Sequence, residues 1–243
     1  MAGKDIVSLL LLAVVQQYNV AYNPRAGVWT PASLSGLQAW WQGDSCTDGA
    51  DFSCTDLSGN GYSLDETTDS LEPAISSAYL NGHDAVDCDG VDDIAATSAW
   101  TDIEQPNVTW AVFEYDDYTG NWNYIHDGND LTDRNILGIG NWTGELGQYA
   151  GGWVRDGTAF DNDPHYAVAL YDGASSYVRV DAAEVMSGTP STQGLGGLTM
   201  CNSPEAGGGA ADIKILEMGV IDGGISAGDR TSLEAYLADR YGL

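Results

Sequence analysis

The run Asn107-Val-Thr-Trp-Ala-Val-Phe-Glu-Tyr115 concentrates β-branched and aromatic residues and is followed by the turn-like stretch Asp116 to Gly120. Such a run suits a pleated, largely buried strand. The same signal recurs at Asn135 to Gly140, Tyr149 to Val154, His165 to Tyr171, Tyr177 to Asp181, Leu198 to Cys201 and Asp212 to Ile221. Asp172-Gly173 supplies a strong turn between two of these runs. Strands at this spacing build a β-sandwich or jelly roll. The 31 glycines, 13 tyrosines and 8 tryptophans agree with short strands and tight turns. With 243 residues, 43% of them hydrophobic, the chain can bury one substantial core. We expect a sandwich over 31–243, preceded by an apolar segment and extended arm over 1–30. At the far end Ser226 and Asp229 resemble a capping box. Leu233, Tyr236 and Leu237 then follow at helical spacing and Gly242 is a natural stop, which predicts one short terminal helix.

Charge narrows the partners. Lys and Arg number 8 against 36 Asp and Glu, a formal charge of -28. A surface this acidic repels phosphate backbones and anionic lipid, so nucleic acid and electrostatic membrane docking are not expected. The excess of Asp and the scarcity of Lys suggest adaptation to high salt, where counterions screen self-repulsion.

The 4 cysteines lack a zinc spacing. Cys46 and Cys54 enclose a short, turn-rich loop, and we expect a local disulfide between them. Cys88 and Cys201 sit in strand-like runs and read as buried small hydrophobes.

The amino-terminal run contains Ile6, Val7, Leu9, Leu10, Leu11, Leu12, Val14 and Val15. It is signal-like, but Asp5 interrupts the basic region and no small-residue cleavage site follows promptly. As a helix it would span roughly 15 Å, about half a bilayer core, so no transmembrane span is expected. A helix apolar on every side wants burial on every side. These residues are therefore expected to mediate assembly, the alternative being a retained signal-like segment.

Four stretches carry a family likeness. They are Trp29 to Trp41, with its Pro and Gly-Leu pair before a Trp; the Asp56-Leu-Ser-Gly-Asn-Gly-Tyr62 turn; the hairpin Leu80 to Asp93; and His165 to Asp181, followed by the closing strand from Asp212 and the helix to Gly242. Together they resemble the concanavalin A-like lectin/glucanase superfamily in its laminin G-like form, frequent in phage and marine microbial proteins. The likeness covers about residues 29 to 243, with Cys88 in place of the usual aromatic. It implies an all-β jelly-roll sandwich of two antiparallel sheets with a short C-terminal helix, though fold alone does not fix function.

Some relatives cleave β-glucans with a carboxylate pair on one strand, the carboxyls about 5 to 5.5 Å apart in a retaining site. The nearest match starts at Glu114, but Tyr118 and Thr119 stand where the second acid is needed. His83, His126 and His165 offer bases without a nucleophile elbow. No catalytic residue and no cofactor is therefore expected. Asp87, Asp89, Asp92 and Asp93 gather the hard oxygens calcium prefers, but off any EF-hand spacing, and they read as an exposed acidic hairpin with no metal. Trp122, Trp142 and Trp153 lie in Gly/Asn-rich segments. Each could stand exposed and stack on a pyranose face or cap the sandwich core. The expected function is a non-enzymatic virion surface protein, such as a capsid decoration, turret or tail-fibre component. Its partners would be its own copies or other virion proteins, with a glycan as a candidate ligand. The alternative is a secreted or cell-surface carbohydrate-binding module.

Overall fold

The computed structural model describes residues 29–118, 122–140, 144–204 and 208–243. The apolar run from Ile6 to Val15 and Trp142 lie outside the described residues.

The strands are β1 (Leu37–Gln42), β2 (Cys46–Asp48), β3 (Phe52–Cys54), β4 (Leu64–Glu66), β5 (Ala74–Leu80), β6 (His83–Asp89), β7 (Ala95–Ala96), β8 (Asn107–Asp117) and β9 (Trp122–Asp127). They continue with β10 (Ile136–Gly140), β11 (Glu145–Tyr149), β12 (Trp153–Ala159), β13 (His165–Tyr171), β14 (Ser176–Val180), β15 (Ala183–Gly188), β16 (Thr199–Met200) and β17 (Asp212–Asp222), and the chain closes with helix α1 (Ala227–Tyr241). Sheet I runs β15-β14-β13-β8-β17-β6-β5, with β1 also paired to β17. Sheet II runs β12-β11-β10-β9-β16-β7-β4-β3-β2. Neighbouring strands are antiparallel throughout both. This is the all-β sandwich with a short terminal helix that the sequence pattern implies. Among the described residues, no helix is long and apolar enough to cross a membrane.

The centre of sheet I is buried on both faces, which explains the unbroken apolar run in β8, while its edge strands β5 and β15 are mostly half-buried or exposed. Ala111, Phe113 and Tyr115 point between the sheets and meet Phe52, Leu64, Ile125, Leu137, Ile139 and Leu146. The alternate residues Val108, Trp110 and Val112 point the other way, into a second apolar layer completed by Leu233, Leu237 and Tyr241 of α1. Gly219 lies opposite Trp110 in the ladder, and a Cβ there would stand 2.1 Å from the indole, so only glycine admits that ring. The helix caps are as expected. Ser226 Oγ accepts from the Asp229 backbone N–H at 3.0 Å, and Gly242 takes φ 75°.

A bulge in β17 between Ile215 and Glu217 sets one special side chain. Ile213 and Ile215 face sheet II, and strict alternation would send Glu217 after them into the apolar core. The extra residue turns Glu217 toward α1 instead. Its carboxylate there accepts from Trp40 Nε1 (2.8 Å), Gln42 Nε2 (3.1 Å), Tyr241 OH (2.9 Å) and Tyr236 OH (3.3 Å), with Arg240 Nε at 3.7 Å. The Asp56 turn is a second polar clasp. Its carboxylate accepts from the backbone N–H groups of Trp40, Ser58, Gly61 and Tyr62, so this part of the family-like motif holds β1 to its loop.

Two readings of the sequence are corrected. Tyr149 to Val154 is not one strand. The chain turns over Ala150 to Gly152, with Gly151 at φ 102°, and the flanking residues pair as the β11–β12 hairpin. Cys88 and Cys201 are buried, but they are more than small hydrophobes. They are bonded to each other, Sγ to Sγ 2.05 Å, and join β6 of sheet I to the end of β16 in sheet II. Cys46 and Cys54 are also bonded, across directly opposed positions of β2 and β3.

His165 ties the start of β13 to two carboxylates, with Nδ1 2.6 Å from Asp181 and Nε2 2.7 Å from Asp161. Burial alone would lower its pKa, but the hydrogen bonds and charges of Asp181 and Asp161 outweigh it and raise the pKa from 6.5 to about 9. Because the folded value exceeds the unfolded one, the stabilisation is complete below about pH 6.5 and is lost as pH rises through about 9. The loss should be roughly 1 to 2 kcal/mol, since both carboxylates are well exposed to water. Thermal midpoints of the wild type should therefore fall between pH 6.5 and 9 more steeply than those of His165→Gln. Parallel profiles would rule out the clamp.

Candidate aromatic site on the outer face of sheet II

The strands β9 to β12 form one end of sheet II, and their two faces differ in kind. Ile125, Leu137, Ile139 and Leu146 point into the core. The opposite face of β10 and β11 carries Gly138, Gly140 and Gly147, with Gly138 directly across from Gly147. Over this glycine floor the indoles of Trp122, from β9, and Trp153, from β12, converge and stack, their centroids 5.0 Å apart and planes 22° apart. A Cβ at Gly140 would stand 2.8 Å from the Trp122 ring, and one at Gly147 would stand 3.0 Å from that of Trp153. Side chains on the floor would therefore lift both rings off the sheet. Tyr149 and Tyr124 extend the aromatic surface, 5.5 and 6.1 Å from Trp153.

Both indoles are half-buried, and neither belongs to an apolar layer of the fold. Two arginines border the aromatic surface. Arg134 stands 5.8 Å from the Tyr149 ring centre and is fixed by a bidentate pair with the fully buried Asp127. Burial and the Asp127 charge push the neighbouring Tyr124 hydroxyl up to about 12. Arg155 lies opposite Gly147, with its guanidinium carbon 5.0 Å from the Trp153 ring centre and 5.6 Å from that of Trp122.

The structure thus brings Trp122 and Trp153 together. Tyr124, Tyr149, Arg134 and Arg155 were not singled out from the sequence. The readable signal was the pair of glycines two apart in Ile136-Leu-Gly-Ile-Gly140, which empties one face of a strand.

The other candidates are engaged elsewhere. His83 Nδ1 lies 2.7 Å from Asp44, and His126, fully buried with its pKa lowered to about 3, meets Thr109 at 2.9 Å. Glu114 lies opposite Lys214, and Lys214 pairs with Asp116 and Asp87. Of the four hairpin carboxylates, Asp89, Asp92 and Asp93 bring oxygens within 4.8 Å of one another, while Asp87 turns to Lys214 and Ser76. The hairpin binds its own backbone. Asp93 accepts from the Asp89 N–H and Asp89 from the Val91 N–H, each at 2.8 Å. Burial, together with the charges of Asp89, Asp92 and Asp87, raises the Asp93 pKa to about 6.

No family model and no curated protein matches the chain. Solved structures do resemble it. Trypanosoma rangeli sialidase in complex with the inhibitor DANA superposes with a TM-score of 0.60 at 12% identity, over 95% of this chain and 39% of the sialidase. Domain 4 of AbnA, a GH43 extracellular arabinanase from Geobacillus stearothermophilus, in complex with arabinotriose, gives 0.59 at 13% identity, over 85% of this chain and 98% of that domain. The botulinum neurotoxin serotype D ligand binding domain in complex with N-acetylneuraminic acid gives 0.57 at 10% identity, over 83% and 51%. The chain therefore spans about two fifths of the sialidase and nearly all of the arabinanase domain. At these identities the likeness is one of fold, and it places the chain among β-sandwiches of two antiparallel sheets.

Proposed function

We propose that the chain is a non-enzymatic carbohydrate-binding module whose ligand stacks on Trp153 and Trp122. One observation carries this reading. Two partly exposed indoles, outside both apolar layers, are laid over a floor kept clear by glycine. A flat aromatic surface beside polar groups is what the apolar face of a pyranose requires. The glycan-bound arabinanase domain and neurotoxin domain support the same ligand class. Two disulfides favour an oxidising setting, so the module is displayed outside a reducing cytosol, on a virion surface or on a cell.

Titration against a glycan panel tests the site. Trp153→Ala should weaken binding by about 30-fold, near 2 kcal/mol, as for a central aromatic anchor, and Trp122→Ala should act in the same direction. Both variants should keep the wild-type circular dichroism, since neither ring supports a core. Binding that survives both substitutions, or a panel with no ligand at all, would remove the reading.

On this proposal the run from Ile6 to Val15 attaches the module to its own copies or to a virion shell. Each large aliphatic side chain fully buried there would contribute about 1.5 to 3 kcal/mol. Deleting residues 1–20 should yield a folded monomer by sedimentation, and Leu10→Asp should weaken assembly in the same way. Identical sedimentation of the truncated and full-length proteins would refute this role.

A further inference from the structure

The aromatic face also carries a charge that the fold leaves unused. In a chain with 8 basic residues against 36 acidic ones, each cation has abundant carboxylates to choose from. Arg134, Arg179, Arg240 and Lys214 all form ion pairs. Arg230 and Arg155 form none among the described residues, and each leaves its Nε without a hydrogen-bond partner; Arg230 still donates through Nη1 to Tyr177 OH at 3.1 Å, and no such bond among the described residues holds Arg155. It lies instead over both indoles, with a Cβ at Gly140 reaching to 3.4 Å of Nε. A buried N–H donor without an acceptor is costly, and a guanidinium is a planar fork matched to carboxylate and sulfate oxygens.

We propose that the ligand of this face is an anionic sugar, bearing a carboxylate or sulfate group, and that Arg155 reads that charge. The inference rests on the carbohydrate-binding reading above and adds the class of sugar to it. The ring stacks on the indoles and the anionic substituent meets Arg155. Outside this spot the acidic surface disfavours anions, so selection is made by one short-range contact and not by the field of the whole protein.

The test compares three probes of equal length at fixed ionic strength by calorimetry: a neutral cello-oligosaccharide, an oligogalacturonate and a sulfated galactan oligosaccharide. The wild type should bind one of the two anionic probes at least tenfold more tightly than the neutral one, and which one identifies the anion. Arg155→Gln should bring that ratio to about 1, and Arg155→Lys, which keeps the charge without the fork, should leave an intermediate ratio. A wild type that prefers or equals the neutral probe overturns the proposal, as does an Arg155→Gln variant with an unchanged ratio. Either result leaves the carbohydrate site standing, provided binding still depends on Trp153. Binding indifferent to Trp153→Ala would defeat the underlying reading and this inference with it.

Discussion

Replacing both Cys88 and Cys201 by alanine is expected to lower the stability of the sandwich by about 3 to 5 kcal/mol. The two residues are 113 positions apart, and their bond joins opposite sheets across the core. In the chain-entropy picture, closing a loop of that length restricts the unfolded chain by nearly 5 kcal/mol, against roughly 2.5 kcal/mol for a loop as short as that between Cys46 and Cys54. Both sulfurs also fill space in a closed core, so their loss removes packing as well as a constraint. For a domain of this size the melting temperature should fall by roughly 10 °C. Calorimetry on the Cys88→Ala/Cys201→Ala and Cys46→Ala/Cys54→Ala proteins decides the matter. A larger loss from the shorter loop would show that the core bridge does not act through the unfolded chain.

Glu217→Ala should be comparably damaging, at about 3 to 5 kcal/mol in urea unfolding. The carboxylate has no exposure of its own and is the common acceptor for Trp40, Gln42, Tyr236 and Tyr241. Removing it strands several buried donors at once and leaves Arg240 without that partner, and each unsatisfied group costs about 1 to 3 kcal/mol. Burial pushes the Glu217 carboxyl above its ordinary range, while Tyr241, Arg240, Trp40 and Gln42 pull it back. Glu217→Gln keeps the volume but presents an amide N–H₂ to a ring of donors, so it should be destabilising by a smaller amount. A loss below about 1 kcal/mol for Glu217→Ala would mean that water or a shifted side chain replaces the carboxylate.

What could be read from the sequence was what depends on neighbours along the chain. His165–Tyr171 emerged with the bounds seen in β13, and the ends of α1 follow from Ser226 and Gly242. The short strands β2, β3, β4 and β7 carry too few residues to show a period, and the exposed β15 lacks an apolar face. The aromatic run Tyr149 to Val154 hid a hairpin, because its tryptophan rests on Gly147 of the neighbouring strand and its tyrosine packs against that tryptophan, so that together they mimic a buried strand. Trp122 and Trp153 were visible as candidates, but their meeting depends on the strand order β9-β10-β11-β12, which no local pattern announces. The bond between Cys88 and Cys201 is non-local in the same way.

The place of β17 in sheet I also bears on how the chain is made. One edge of this strand holds β8, and the other holds β6 along Asp212–Ile215 and β1 along Glu217–Ile221. During synthesis β1, β6 and β8 leave the ribosome long before the strand that joins them. Until position 222 emerges, their unsatisfied edges face solvent or one another, and α1 has not yet arrived to cover the second apolar layer. Nascent chains stopped before β17 should therefore remain protease-sensitive and chaperone-bound, and acquisition of protection should come late and in one step. Slow translation would lengthen exactly the interval in which the chain is most prone to aggregate.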